Sequence, residues 1–479
     1  MQALATRNRQ YFLRCIVSAL LSLFVTAQAL AWPTVFATGT TLYNPERSSA
    51  GYTLFAPVGK KPDGSSTVFL INMSGAVVQQ WSVPLFALHA RLLPNGNLLF
   101  LGQSEKEPAG RPGLGKFWMG GAAGTILELD WDGKTVFQHE DLNMHHDAVR
   151  LPNGHTLYLA WERVPAVLQR KIRGGIKGSE FSDGVMFNDY LIEIDARGKT
   201  VWTWRANAHL DPDIDIIGPF YKREEWCHGN SLAVLANGNI ALTSRALDSI
   251  MIIEKKSGKI IFRRGNTAYL DKKTGRIEYR NGPDFMGGPH GAEVIAAGLP
   301  GAGHLLCYDN GLYNFASRAV EIDGATSKLV WQSSQPGMGR KHFSDIMGSS
   351  QRLPNGNTLI CDGANGRFFE ETAQHGLVWE YQNPYSTDPL LQGAVLKAYR
   401  YVPDYCPQFK ALPPATGAAI LPTGSAQVGA ATDQPKGATS NTGAAPSRYW
   451  HPLSFAIGAV VTAALMAVAA LLRRRRRIK

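Results

Sequence analysis

The chain has 479 residues, of which 44% are hydrophobic, and its formal net charge at pH 7 is +11. Three arginines before residue 15 and six basic residues in the last seven positions carry most of that charge. The part in between carries only about +2, too little for the basic surface that nucleic-acid binding requires. We therefore predict no nucleic-acid partner.

Residues 1–31 have the pattern of a secretory signal peptide. Three arginines precede an apolar run at residues 15–25, and Ala-Leu-Ala at residues 29–31 fits a cleavage site. An uncleaved membrane anchor is the alternative interpretation. Both interpretations place the body of the protein outside the cytoplasm.

The other end of the chain predicts a membrane anchor. Residues 411–450 are rich in Ala, Gly, Thr, Ser and Pro, which is typical of a flexible linker. Residues 451–472 contain a run of 20 apolar or small residues without a charge, long enough for a helix to span a bilayer. The basic tail at 473–479 would then be cytoplasmic. We expect a periplasmic or otherwise extracytoplasmic domain anchored in the cytoplasmic membrane, unless a sorting protease removes the tail.

Residues 32–410 contain a repeated hairpin signal. Leu-Pro-Asn-Gly or Leu-Ala-Asn-Gly begins at residues 93, 151, 235 and 353, and an apolar segment follows each copy. Asn-Gly between alternating apolar residues indicates a two-residue hairpin turn, since both turn positions need a positive φ. A second pair of strands follows each hairpin, and the last strand usually carries Trp or Phe.

Six such units of about four strands predict an all-β, six-bladed β-propeller. Only the half of the first unit that begins at residue 68 is clear in the sequence. A solenoid is the alternative, but aromatic residues at one fixed repeat position favour a closed ring. No helical periodicity of any length is present before residue 450.

Histidines begin several of the predicted innermost strands. The first strand of each unit has small or polar residues, which suits strands crowded around the propeller axis. His89, His145 or His146, His228 and His290 begin such strands, so we expect them to face each other at one mouth of the central channel. We expect the small residues of Gly-Gly-Pro-His-Gly-Ala around His290 to leave space for a ligand.

The cysteines leave one alternative open. Cys307 and Cys361 occupy similar positions in neighbouring repeats, and export would permit a disulfide between them. Two buried thiols are the other interpretation.

Three motifs carry a resemblance to a known family. They read HHDAVRLPNG from residue 145, WCHGNSLAVLANGNIALTSRALDSI from residue 226, and PHGAEV from residue 289 followed by GHLLCYDNG from residue 303. In order and content they resemble the bacterial arylsulfate sulfotransferase family, and the resemblance covers most of residues 50–385.

The resemblance implies an exported six-bladed propeller that transfers a sulfuryl group from a small phenolic sulfate to a phenolic acceptor. It implies no nucleotide donor and no cofactor. By similarity His290 is the nucleophile, which becomes a sulfohistidine, and His228 and Arg245 are further active-site residues. His146 matches the remaining histidine, with His145 as the alternative for that place.

Other interpretations stay open beside this one. Longer family members carry an extra β domain before the propeller, for which this chain has no room, so dimerisation through such a domain is not expected. Because His89 lacks a family motif, we predict that it is a structural residue. An active-site role is the alternative. Since Arg245 would repel a cation, we predict no metal site. The competing functions are a membrane-tethered binding platform without catalysis and a hydrolase on the same scaffold.

Overall fold

The computed structural model describes residues 37–104, 106, 120–181, 183–280, 282, 285–333, 342–385 and 393–421. In chain order the strands are β1 (Gly39–Tyr43), β2 (Tyr52–Pro57), β3 (Ser66–Ile71), β4 (Val77–Val83), β5 (Phe86–Leu92), β6 (Leu98–Gln103), β7 (Gly124–Leu129), β8 (Thr135–Glu140), β9 (Met144–Arg150), β10 (Thr156–Arg163), β11 (Gly174–Ile176), β12 (Phe187–Ile194), β13 (Thr200–Arg205), β14 (Ile217–Lys222), β15 (Gly229–Val234), β16 (Ile240–Ser244), β17 (Ser249–Ile253), β18 (Ile260–Gly265), β19 (Ala268–Asp271), β20 (Arg276–Tyr279), β21 (His290–Val294), β22 (Leu305–Asp309), β23 (Arg318–Asp323), β24 (Lys328–Gln332), β25 (Ser349–Arg352), β26 (Thr358–Asp362), β27 (Arg367–Glu371), β28 (Leu377–Gln382) and β29 (Val395–Tyr401). The helical segments in this part are α1 (Ala166–Gln169), α2 (Ala206–His209) and the 3-10 turn Pro407–Ala411.

Six antiparallel sheets form the blades of a β-propeller. From the axis outwards, blade 1 is β29-β2-β3-β4, blade 2 is β5 to β8, blade 3 is β9-β10-β12-β13, blade 4 is β15 to β18, blade 5 is β21 to β24 and blade 6 is β25 to β28. The first strands of neighbouring blades lie side by side, β9 beside β15, β15 beside β21, β21 beside β25, β25 beside β29 and β29 beside β5. The predicted all-β, six-bladed architecture is confirmed.

The Asn-Gly turns close the predicted hairpins, but with a different geometry from the one expected. At the first turn Gly96 donates its N–H to Leu93 O (2.8 Å), and Leu93 donates to Asn97 O (2.8 Å). Gly96 has φ 87°, whereas Asn95 is not among the residues with positive φ. This is a type I turn followed by a left-handed glycine. The turn at Gly238 has the same hydrogen bonds and φ 82° with Ala236 in place of the proline, so proline suits this geometry but does not impose it.

Tryptophans on the outer strands join four of the six blades to the next blade. Trp81 Nε1 in blade 1 donates to Asp130 O in blade 2 (3.3 Å), and Trp204 in blade 3 donates to Gly258 O in blade 4 (2.8 Å). Trp331 in blade 5 donates to a blade 6 carbonyl, and Trp379 in blade 6 to a blade 1 carbonyl. The repeated aromatic position therefore belongs to the packing between blades, which is why it favoured a closed ring.

Both ends of the described chain close the ring. β1 pairs antiparallel with β28 at the outer edge of blade 6, and β29 supplies the innermost strand of blade 1. The chain also stays on the propeller beyond residue 410, where we expected the linker to begin. Met73 N donates to Ala415 O (2.9 Å), and Ile420 forms a bridge with Tyr43.

A buried ion pair fastens this closure, and its removal should be costly. Arg400 on β29 donates to Glu370 on β27, and both side chains are buried. Glu370→Ala should lower the free energy of unfolding by about 3–5 kcal/mol, because the Arg400 charge is left buried without a partner. Chemical denaturation measures the loss. Asp213→Ala, which removes the partner of the exposed Arg173, should cost at most about 1 kcal/mol; equal losses in the two variants would contradict the prediction.

The four described cysteines, Cys227, Cys307, Cys361 and Cys406, are buried free thiols. The alternative of two buried thiols therefore holds for Cys307 and Cys361.

Within the described ranges no helix is long and apolar enough to cross a membrane. The predicted signal peptide (1–31), membrane helix (451–472) and basic tail (473–479) lie outside those ranges, as does the predicted linker after residue 421.

Candidate functional site

The predicted histidines of blades 3, 4 and 5 meet at one mouth of the propeller. The rings of His146 and His228 are 4.8 Å apart between centroids. Burial lowers the pKa of His146 well below its usual value, and the neighbouring His228, His145 and His290 add to that effect. Arg245 joins the group through its backbone, because its N–H donates to His228 O (3.0 Å). The structure thus brings together four of the predicted site residues.

The inner strands are irregular at or next to these histidines. The register with the second strand slips at residues 146–147 of β9, at Asn230 of β15 and at residues 291–292 of β21. Such bulges redirect side chains and recur beside active sites. His146 and His228 also have positive φ values of 53° and 52°, a strained conformation for a non-glycine residue that is concentrated at functional sites.

His290 is held in a single tautomer. Its Nδ1 lies 2.9 Å from Gly288 O and 2.7 Å from Asn310 Oδ1. The Asn310 amide is oriented by its own Nδ2, which donates to Ser344 O and Met347 O. Both atoms that face Nδ1 are therefore acceptors, so Nδ1 carries the hydrogen and Nε2 keeps a free lone pair. Burial, helped by the charge of Arg245, lowers the pKa of His290 to about 3. The ring is neutral at physiological pH, which is the form in which an imidazole can act as a nucleophile.

The glycines around His290 do not leave open space, which corrects the expectation from the sequence. A side-chain carbon on Gly287 would lie 2.6 Å from Leu312 N, and one on Gly291 would lie 2.6 Å from Gly348 O. Gly291 also has φ 60°. Neighbouring backbone fills the room beside these residues. They are small because the backbone packs closely there, within blade 5 at Gly287 and against blade 6 at Gly291, and not because a ligand passes them.

Glu225 supports His228, and sequence reasoning did not identify it. One carboxylate oxygen of Glu225 contacts His228 Nδ1, and the other accepts from Trp161 Nε1 (2.6 Å). A carboxylate on Nδ1 fixes the orientation of the ring. The only sequence signal was an acidic residue three positions before the histidine, a common arrangement that does not by itself indicate contact.

His145 stands behind His146. The two Nδ1 atoms are 2.9 Å apart, and the His145 ring stacks on Trp161 with 4.4 Å between ring centroids. His145 Nε2 lies 3.4 Å from Asp189 Oδ1, and the side chain is fully buried. His146 instead faces His228. Of the two alternatives, the geometry favours His146 as the residue that faces the site.

Arg245 is available to bind an anion. Its guanidinium group lies over the Tyr221 ring, 5.0 Å from the centroid. Its buried Nε has no hydrogen-bond partner within the described ranges. A guanidinium group beside a neutral histidine, with an unused donor, suits an oxyanion.

His89 belongs to a second cluster on the axis. Its Nε2 is 3.0 Å from Asp147 Oδ1, and Lys397 Nζ is 2.5 Å from Asp147 Oδ2. Leu232 N–H also donates to that carboxylate (2.8 Å). Burial opposes ionisation of Asp147, but Lys397 and Arg91 hold its pKa well below the usual value. The cluster joins the inner strands of blades 1 to 4, which is a structural arrangement.

His89→Gln should change how stability depends on pH. Burial lowers the pKa of His89 from 6.5 to about 4, so between these values the unfolded chain takes up a proton that the folded chain does not. The free energy of unfolding therefore falls by about 2 kcal/mol between pH 7 and pH 5 on account of this residue. Urea denaturation at both pH values should show a smaller fall for His89→Gln; equal falls would contradict the assignment.

The described residues contain no group of three or more His, Cys, Asp or Glu side chains arranged to hold a metal ion. The polar side chains assigned to the mouth are three histidines and Arg245, and the positive charge of Arg245 would repel a cation.

Comparison with known proteins agrees with the motifs. No functionally curated protein matches the chain. Solved structures with similarity include a protein of unknown function from Bacteroides caccae (12% identity, 74% of this chain and 99% of that one, TM-score 0.43). Virginiamycin B lyase from Staphylococcus aureus (10% identity, 71% and 87%, TM-score 0.36) and hydrazine synthase from Kuenenia stuttgartiensis (11% identity, 71% and 80%, TM-score 0.33) are further examples. The sequence model of the family described as Arylsulfotransferase (ASST) matches residues 93–395, and the chain belongs to that family.

Proposed function

We propose that this arylsulfotransferase moves a sulfuryl group from a phenolic sulfate ester to a phenolic acceptor through a sulfohistidine at His290, without a nucleotide donor or other cofactor. The observation that carries the proposal is the tautomer of His290. Gly288 O and Asn310 Oδ1 both accept from Nδ1, which leaves the Nε2 lone pair for attack on sulfur.

In the first half-reaction His290 Nε2 attacks the sulfur of the donor. The N–S bond forms as the bond between sulfur and the phenolic oxygen breaks. Charge in such a loose transition state spreads over the three equatorial oxygens, by analogy with phosphoryl transfer. Arg245, with its unused Nε donor, is suited to bind two of these oxygens, and we assign the third to His146, whose ring faces His228.

His228 is the residue we assign to proton transfer. Its contact with Glu225 through Nδ1 orients the ring, and in the imidazolium form its Nε2–H can protonate the departing phenolate. In the second half-reaction the acceptor hydroxyl gives its proton back to His228 and attacks sulfur. The N–S bond then breaks, and His290 returns to its starting form. Two displacements on one nucleophile predict ping-pong kinetics.

We also propose that the reaction takes place outside the cytoplasm, on a domain anchored by the apolar helix at residues 451–472. The support is the sequence of the two ends, a signal-peptide pattern and a charge-free apolar run followed by basic residues. Membrane fractionation combined with protease treatment of intact spheroplasts tests this. A propeller protected from protease in intact spheroplasts would contradict export.

The full chain, solubilised in mild detergent, is the material for the test of activity. It is mixed with a fluorogenic aryl sulfate, with and without phenol, and the donor-only sample is examined by intact mass. Phenol-dependent release of the fluorophore, with one SO3 group added to the donor-only protein and mapped to His290, is expected. Release at the same rate without phenol would indicate a hydrolase. No release and no added mass across a panel of aryl sulfates would contradict the proposal and favour a binding platform.

A further inference from the structure

Asp248 is a buried carboxylate in the turn that carries Arg245. The turn spans residues 245–248 between β16 and β17, and Asp248 N–H donates to Arg245 O (3.2 Å). Asp248 has φ 51° and is fully buried. A left-handed conformation at a buried non-glycine residue is strained and persists only where the surroundings hold it.

Four donors hold the Asp248 side chain. Oδ1 accepts from Gly288 N–H (2.9 Å) and from the Tyr221 hydroxyl. Oδ2 accepts from the Thr267 hydroxyl (2.6 Å) and from the Tyr313 hydroxyl. These donors come from four separate segments, so a single carboxylate fixes the position of blade 4 relative to the start of blade 5.

Two of these contacts lead directly to the candidate active site. Gly288 contacts both Asp248 and His290: its N–H donates to Asp248, and its carbonyl accepts from His290 Nδ1 (2.9 Å). The Tyr221 ring, whose hydroxyl donates to Asp248, lies under the Arg245 guanidinium group at 5.0 Å. The nucleophile and the arginine are thus each one residue away from the same carboxylate.

The charge of Asp248 does not serve stability. Burial raises its pKa from 3.8 to about 6 in spite of the four donors. Between these pH values the folded chain binds more protons than the unfolded chain, so stability falls as Asp248 ionises with rising pH. A neutral side chain of the same shape would not carry this cost, which makes a role in the reaction the better explanation for a carboxylate here.

We propose that Asp248 is a positioning residue that holds His290 and Arg245 at a fixed separation across the boundary between blades 4 and 5. The proposal rests on the proposed function, because the fixed separation matters for an arginine that binds the sulfuryl oxygens while the histidine attacks sulfur. A small displacement of such groups costs up to about 100-fold in rate.

The test measures single-turnover sulfurylation of His290 by an aryl sulfate in the full chain. Asp248→Asn should fold, because the amide oxygen can accept from Gly288 and the hydroxyls can turn to accept from the amide nitrogen. Its neutral oxygen holds Gly288 and Tyr221 more weakly than a charged one. We expect the rate to fall about tenfold for Asp248→Asn and about 100-fold for Asp248→Ala, with the donor KM changed less than about threefold. The Tm of Asp248→Asn at pH 7 should not be lowered.

Thr267→Val is the matched control, since it removes one donor to the same carboxylate without touching Gly288 or Tyr221. Its sulfurylation rate should stay within about threefold of the wild type. Wild-type rates in both Asp248 variants, or an equal loss in Thr267→Val, would overturn the proposal.

A measurement without turnover separates this proposal from the proposed function. Nitrogen NMR of labelled histidine, assigned with His290→Asn, should show His290 with its proton only on Nδ1 in the wild type. In Asp248→Ala the Nε2–H tautomer should appear as a minor form, because Gly288 is no longer held and only Asn310 Oδ1 remains as a fixed acceptor for Nδ1. An unchanged tautomer would overturn the positioning role even if the wild type transfers sulfate. Absence of sulfurylation in the wild type with the tautomer change present would instead overturn the proposed function alone.

Discussion

His290→Asn should lower the rate of sulfuryl transfer by about 10⁴-fold or more, because removal of a covalent nucleophile leaves only the residual effect of binding and charge. The asparagine amide has no lone pair of comparable nucleophilicity to offer to sulfur. Stopped-flow release of a fluorogenic phenol and intact mass of the donor-only protein measure the effect. Since the pKa of His290 is lowered to about 3, protonation of this residue should not slow wild-type sulfurylation above about pH 4.

His342→Asn is the control for the loss of a buried histidine. Burial also lowers the pKa of His342 to about 3, but its ring packs against Phe369 and Tyr308, between blades 5 and 6. The control should transfer sulfate at nearly the wild-type rate. If His290→Asn kept more than about one hundredth of the wild-type rate, or still gained an SO3 group at this position, His290 would not be the nucleophile.

Arg245→Met should lower kcat/KM for the aryl sulfate by about 10²–10³-fold, the range found when one preorganised group is removed from a developing oxyanion. Arg245→Lys should recover only part of the loss, because an ammonium group cannot reproduce the planar fork that reaches two sulfuryl oxygens. Steady-state kinetics with a series of phenolic sulfates measure both variants.

Arg205→Met is the matched control for the loss of an arginine. Arg205 pairs with Glu162 on the outer part of blade 3 and is more than half exposed, so its replacement should leave kcat/KM unchanged. An Arg245→Met enzyme within threefold of the wild type would show that this cation does not act on the transferred group.

The sequence predicted the parts of the fold that depend on local signals. The turn at Gly96 and the outer-strand tryptophans such as Trp81 are each set by a few neighbouring residues, and both were found where expected. The inner strand of blade 1 was missed because β29 pairs with β2 across more than 300 residues, and a pairing over that distance leaves no periodic trace. The turn geometry was not predicted, because Asn-Gly occurs both in two-residue turns and in a type I turn that ends in a left-handed glycine.

For the candidate site, too, the sequence predicted what local signals specify and missed what depends on contacts between distant segments. His228 and His290 begin inner strands, so the repeat itself placed them at one mouth. Glu225 and Asp248 were not foreseen, because their importance lies in hydrogen bonds to other segments. The glycines beside His290 were interpreted as open space, since a sequence cannot tell whether a small residue faces a void or a closely packed backbone.

The double closure of the ring has a consequence for the order of folding. β2, β3 and β4 are made early, but the inner edge of β2 has no partner until β29, more than 300 residues later, is available. Pairings this distant in sequence are slow to form. Until then the chain presents an unpaired strand edge, the kind of surface through which incomplete β proteins associate. A chaperone would therefore act first on blade 1. A slow phase in folding would correspond to the closure of this blade.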